Sequence, residues 1–306
     1  MKALRFAALG DSLTEGVGDP VGGGWRGWAA LLAEGLAPTE VPVEFRNFAT
    51  SGAQTSDVLL RQLPCALAFT PDVASVVAGI NDTLRAAFDI HAVAAHLDTV
   101  YGAFAERGTV LLTACLPDPG ALLGLPGVLA RPLARRQRAV NSVVHALSER
   151  HGAVHLHAAD AAWAADPALW SVDRLHPGER GHREFAARFH AVLAAAGETL
   201  GPAPPVEPER PAPTRAAGLW WLATAGTGWV ARRCADLLPG LLALAAEEAR
   251  HGMRGTGARL DLRASAGVAA ALASVPGLEV PLRACDHVTG VAQAASGTSQ
   301  PCEVCP

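Results

Sequence analysis

The sequence predicts an α/β protein built on a parallel sheet with helices on both faces. Three observations carry that prediction. Five short apolar runs alternate with longer stretches of helical spacing over residues 4–197. Blocks bearing reactive side chains sit where those runs end. A proline-rich break just past residue 200 then closes the pattern. Strand, helix, strand at this pitch is the signature of crossover-connected parallel strands.

Each run is short, apolar and bounded by turn residues, which favours a buried strand over a helix segment. The strands are expected at 4–9, 41–48, 73–78, 109–114 and 154–157, and the helices at 25–36, 56–63, 92–104, 133–147 and 178–195. Between the fourth strand and its helix, residues 116–129 are rich in proline and glycine. They read as an irregular, mostly apolar insert that hints at a hydrophobic acyl pocket. Residues 201–215 hold six prolines (Pro202, Pro204, Pro205, Pro208, Pro211, Pro213). Such a stretch cannot form a helix or a central strand and reads as a linker with a reach of roughly 45 Å.

Beyond it, Leu219, Trp220, Trp221, Leu222, Trp229 and Val230 form an apolar stretch stopped by Arg232, Arg233 and Asp236, and Pro239 interrupts before a second apolar run. Each half is too short to span a bilayer. An amphipathic hairpin packed on the main domain is the preferred reading, with peripheral membrane contact as the alternative. From 251 the chain is rich in Gly, Ala and Ser without a sustained period. The expected division is therefore a domain over 1–200, a linker over 201–216, an apolar helical extension over 217–250 and a loose tail over 251–306.

Composition narrows the function classes. A chain of 306 residues with net charge −4 has no basic excess to neutralise phosphates, so nucleic-acid partners are excluded. Six cysteines are too sparse for a disulfide scaffold. The apolar opening reaches Gly10-Asp11-Ser12 too soon to serve as a secretory leader, and no run of about 18 apolar residues is present. A cytoplasmic protein is expected.

Four blocks carry chemistry. Gly10-Asp11-Ser12-Leu13 follows the first strand and puts a hydroxyl at the carboxyl edge of the sheet. Alone, Asp11 and Ser12 read equally well as helix caps. Gly52, after the second strand, offers an N–H donor or is an ordinary turn glycine. Gly79-Ile80-Asn81-Asp82, after the third, offers a side-chain amide or is common turn chemistry. Asp173-Arg174-Leu175-His176 precedes the last helix. Its three-residue spacing lets the carboxylate meet imidazole Nδ1–H while Nε2 faces elsewhere.

In this order the four blocks resemble the SGNH (GDSL-type) hydrolase family over about residues 4–197, without a gap or substitution in any block. The resemblance implies a three-layer α/β/α sandwich with a five-stranded parallel sheet of the flavodoxin-like kind. It implies Ser12 as nucleophile, His176 as general base and Asp173 as its orienting acid. The Ser12 and Gly52 backbone N–H groups and the Asn81 side chain would form the oxyanion hole, with Asp11 and Asp82 as supporting contacts. A small-molecule ester is the implied substrate, and no cofactor or metal is called for. The competing readings are acyl transfer or carbohydrate deacetylation by the same triad, or a silent docking module.

Other signals are set aside. Gly16, Gly18 and Gly22 to Gly24 lack the dinucleotide spacing and read as a loop beside the site, with Trp25 as a candidate wall residue. His182 has no aspartate three residues before it. His155 and His157 read as a structural pair. Cys285, His287, Cys302 and Cys305 are four potential zinc ligands, but the Cys285–His287 pair is tighter than the usual spacer, and a loose tail is the preferred reading. Cys65, Cys115 and Cys234 read as buried small residues.

Overall fold

The computed structural model describes residues 2–211 and 227–276. Its centre is a sheet of five parallel strands: β1 (Leu4–Gly10), β2 (Val43–Asn47), β3 (Val73–Val77), β4 (Val110–Cys115) and β5 (Val154–His157). The spatial order is β2-β1-β3-β4-β5. This is the flavodoxin-like order, whose strand direction of growth reverses between β1 and β3. A crevice opens at that switch point, beyond the carboxyl ends of the two strands.

Alternation along β1 splits the core into two layers. Phe6 and Ala8 face one cluster, where α1 (Gly27–Gly35) supplies Trp28, Leu31 and Leu32. Ala7 and Leu9 face the other, with α2 (Ile90–Ala105) and α3 (Gly127–Arg150). The first layer is completed by α4 (Glu179–Ala195), whose Phe189 stacks on Trp28 with ring centroids 4.8 Å apart. Because both faces are covered, β3 is buried at every position.

Some elements differ from the sequence expectation. In place of one helix over 56–63, a turn of α-helix (Thr55–Asp57) widens into a π-helical turn (Val58–Gln62) and then runs on as helix Leu63–Phe69. Pro64, which lacks an N–H, sits just past the π-helical turn at the start of that last segment. Helix α3 is longer than 133–147 and carries Pro132 inside it.

Residues 201–211 of the proline-rich stretch lie along α1 and α4. Gly201 N–H donates to Gly35 O at 3.1 Å, and Arg183 Nη1 donates to Pro205 O at 3.2 Å. Arg210 then joins Arg26 on the fully buried Asp19. The absence of a regular period thus does not leave this part of the linker free.

Beyond 226, one helix, α5 (Thr227–Met253), runs through Pro239, where an interruption is expected from the sequence. The helix passes close to the loop after β3 here: a Cβ on Gly240 would stand 3.0 Å from the Ala86 methyl. A second helix, α6 (Ala258–Ala273), occupies part of the expected loose tail. Its Ala271 and Leu272 join the second core cluster, and that burial supplies the order that composition does not announce. No helix among the described residues is long and apolar enough to cross a membrane. The expectations for 217–226 and for Cys285, His287, Cys302 and Cys305 lie outside the described residues, as does the Cys234 side chain. Cys115 is buried, but Cys65 is exposed, on the outer face of its helix.

Candidate active site

The site forms at the switch point. Strand β1 ends at Gly10, whose φ is +150° and whose Cβ, if present, would lie 2.2 Å from Val77 O of β3. Only glycine fits there. The chain then turns into a short helix, Ser12–Glu15, which Asp11 caps by accepting from Leu13 N–H at 3.1 Å. Ser12 is the first residue of that helix, so its own N–H has no intrahelical acceptor.

On the other side, residues 171–176 fold into a closed loop. Ser171 N–H donates to His176 O at 2.8 Å, and Arg174 takes a positive φ of 54°. The loop holds Asp173 under His176. Asp173 Oδ1 accepts from Ser171 Oγ, Leu175 N and His176 N, and Oδ2 lies 2.6 Å from His176 Nδ1. His176 Nε2 lies 2.8 Å from Ser12 Oγ, across 164 residues of sequence. Gly18 supports this approach from below: a Cβ there would come within 2.0 Å of Pro177 O. The glycine loop therefore buttresses the histidine.

The electrostatics follow from burial and from these bonds. Burial by itself raises the Asp173 pKa, but the hydrogen bonds and charge of His176 outweigh it and bring the value down to about 2. The carboxylate is thus ionised and accepts a hydrogen bond from Nδ1–H, which leaves Nε2 to accept from Ser12. Asp11 differs. It is almost wholly buried, and desolvation pushes its pKa up to about 6 although Leu13, His176 and Asn81 favour the charged form.

Asn81 Nδ2 donates to Asp11 Oδ2 and to Ala53 O, both at 3.1 Å. Ser12, His176, Asn81 and Asp11 all line one cleft of about 500 Å³, counting its open mouth. Gly52 is not among the lining residues. Its loop nonetheless closes on the end of β1, where Thr50 N–H donates to Gly10 O at 3.2 Å. Asp82 faces away from the cleft and accepts from Thr55 N and Oγ1. His182 is occupied on both nitrogens: Nδ1 accepts from Trp28 N–H at 3.2 Å and Nε2 donates to Val17 O at 3.0 Å.

The remaining walls are apolar: Leu13, Ile80, Leu84, Leu116, Leu122 and two indoles, Trp163 and Trp170, packed edge to face. The sequence reading offered Trp25 for this wall. That residue is half exposed on a small hairpin and does not line the cleft. Gln62, on the π-helical turn, belongs to the site although no sequence motif contains it. Its amide accepts from Gly10 N–H and donates to Gly10 O, both at 2.8 Å, and so grips the residue two before Ser12. Nothing in the sequence sets it apart, since Ser56, Asp57 and Arg61 are polar residues of the same stretch.

A parallel sheet of this order, with a hydroxyl, an imidazole and a carboxylate in line at its switch point, has the form of an SGNH-type hydrolase. The chain belongs to the GDSL-like Lipase/Acylhydrolase family, whose model matches residues 8–184, and it is a hydrolase acting on esters. Among solved structures it is similar to a mutant of an acetyl-xylooligosaccharide esterase from Geobacillus stearothermophilus. The identity is 20% and the TM-score 0.51, over 62% of this chain and 94% of that one. It is also similar to an α/β hydrolase from the metagenome of Lake Arreo, Spain, at 21% identity and TM-score 0.50, over 63% and 97% of the two chains. At such identities the likeness is one of fold. A comparison with curated proteins gives no match.

Proposed function

We propose that the protein is a serine esterase that releases small or medium acyl groups through an acyl-enzyme on Ser12. The observation that carries this reading is the continuous Ser12–His176–Asp173 hydrogen-bond chain, 2.8 and 2.6 Å long. A serine hydroxyl is a weak nucleophile until a base takes its proton as it attacks. His176 Nε2 is in place to do so, and Asp173 stabilises the imidazolium that results. His176 then gives that proton to the leaving alcohol, and a water activated by the same imidazole releases the acid.

The oxyanion would be met by the N–H groups of Ser12 and Gly52 and by Asn81 Nδ2. Asn81 reaches it by sharing the N–H it gives to Asp11 when no substrate is bound. The leucine and isoleucine side chains around Ser12 favour an aliphatic acyl group over a charged one, since a charge would be desolvated there without a partner.

The test is a panel of esters of increasing chain length, run on wild type and Ser12→Ala, with mass spectrometry of a phosphonate-treated sample. Hydrolysis should fall by about 10³-fold or more in the variant, and the adduct should sit on Ser12. Full activity in Ser12→Ala, or an adduct elsewhere, overturns the assignment. Adding alcohol or sugar acceptors separates hydrolysis from transfer: transfer product in excess of free acid overturns the hydrolytic reading.

A further inference from the structure

We propose that Cys115, His145, His155 and His157 bind one structural zinc ion at a site apart from the catalytic relay. One ligand atom from each lies within 4.8 Å of all the others. The fold makes this grouping. In the parallel register Thr113 pairs with His155 and Cys115 with His157, so the period of two puts all four side chains on one face of the sheet. Helix α3 lies over that face: Ser148 Oγ is 2.7 Å from Thr113 Oγ1, and His145, three residues earlier, points to the same place. The three imidazole centroids are 4.4, 4.8 and 4.9 Å apart.

Nothing else accounts for this cluster. His155 Nδ1 lies 2.9 Å from Thr113 Oγ1, while its Nε2 is buried without a hydrogen-bond partner. Among the described residues the His145 and His157 rings have no hydrogen bond either. Two half-buried imidazoles, His145 and His155, with idle nitrogens carry a desolvation penalty that a cation shared with exposed His157 removes. A proton on Nδ1 held by Thr113 would leave the Nε2 lone pair free for the ion, the outer-sphere arrangement that fixes a metal-bound histidine.

One thiolate and three imidazoles suit zinc. Tetrahedral zinc bonds of 2.0–2.3 Å would separate ligand atoms by about 3.3–3.8 Å, so the cluster closes with shifts of about 1 Å. On binding, the Cys115 thiol gives its proton to solvent as the sulfur–zinc bond forms. Four protein ligands leave no open position, which makes the role structural. Exposed His157 gives the ion a way in.

The ion would also brace the cleft. Cys115 directly precedes Leu116 and Pro117, which line it. Asn141, one turn before His145 on α3, donates to Leu116 O at 2.8 Å and accepts from Leu116 N–H at 3.0 Å. Reading His155 and His157 as a mere structural pair misses this, because His145 and Cys115 join them only in the fold.

The full chain, stripped with a chelator and dialysed against zinc, should retain one ion per molecule by elemental analysis. His157→Ala, an exposed change that spares the core, and His145→Ala should each weaken binding by about 100-fold or more. Thr113→Val, which touches no ion directly, should weaken it by about 10- to 100-fold. Cobalt in place of zinc should show tetrahedral d–d bands and a sulfur-to-cobalt charge-transfer band that Cys115→Ser removes. Failure to retain stoichiometric zinc, or retention unchanged in both histidine variants, overturns the proposal.

Discussion

Asp173 and Asp11 are both buried carboxylates at the same cleft, yet their environments drive them in opposite directions. Asp173 has three donors besides the His176 ring N–H and stays ionised down to about pH 2. Replacing it with Asn keeps the shape but presents the wrong partner to Nδ1–H. Asp173→Asn should therefore cut kcat by about 10³- to 10⁴-fold with little change in KM, measured on a short-chain ester. Asp11 has its folded pKa raised from 3.8 to about 6 by burial. Its favourable contribution is thus full below 3.8 and is lost as pH rises through about 6. The shift corresponds to about 3 kcal/mol. Relative to wild type, Asp11→Asn should gain about 2–2.5 kcal/mol of stability between pH 4 and pH 8, because part of the shift is already spent at pH 4, read from denaturant midpoints at the two values. An equal difference at both would mean that Asp11 ionises freely. These acidic residues were legible in the sequence because their partners are local: Asp173 and His176 are three apart, and Asp11 caps its own helix. Their ionisation was not legible, since it depends on what the fold packs around them.

Secondary-structure elements position the site through side chains that no short motif contains. The π-helical turn Val58–Gln62 brings the Gln62 amide onto Gly10, and α3 brings the Asn141 amide onto Leu116. Each amide pairs with one backbone N–H and one C=O at the crevice, Gly10 O being shared with Thr50 N–H. Gln62→Leu should therefore cost about 1–3 kcal/mol, since it orphans the buried Gly10 N–H while Gly10 O keeps its bond from Thr50 N–H. It should also lower kcat more than KM, because Ser12 loses its fixed position while the cleft walls stay. Asn141→Ala should do the reverse and raise KM for longer acyl chains as the Leu116–Pro117 wall loosens. Steady-state kinetics across the ester panel separate the two. The sequence reading places helices near both residues, because apolar periodicity shows a helix well. It does not show the widened turn at 58–62. Such a turn follows from where a proline and a buried amide must go, and periodicity carries no sign of either.

At the scale of the whole molecule, the strand-to-helix alternation fixes a parallel sheet with two covered faces, and the motif order places the reactive groups at its carboxyl edge. The pairing order of the strands and the fate of residues beyond 200 depend on long-range contacts that composition does not report. Proline and alanine suggested a free linker and a loose tail. Instead, Arg210 reaches buried Asp19, and α6 closes part of the second core layer with Ala271 and Leu272. The polar link between these C-terminal helices and the domain converges on Arg135 of α3, which holds Glu248 of α5 at 3.1 Å and Asp261 of α6 at 2.9 Å. Glu248 is 6% exposed, so removing its cation leaves a charge stranded in a poorly solvated place. The Asp261 pair is solvated and adds little. Arg135→Ala should thus loosen α5 and α6 by about 1–3 kcal/mol, below the range for a fully buried pair because water reaches one side. The sheet and its relay make no use of Arg135, so hydrolysis at 25 °C should stay near the wild-type rate. The expected readout is faster amide exchange and earlier proteolytic cleavage over 239–276, with β1 and β3 unchanged. Equal protection of α5 and α6 in variant and wild type would mean that their apolar contacts alone hold them. Adding Glu248→Gln, which removes the stranded charge, should restore most of the lost protection.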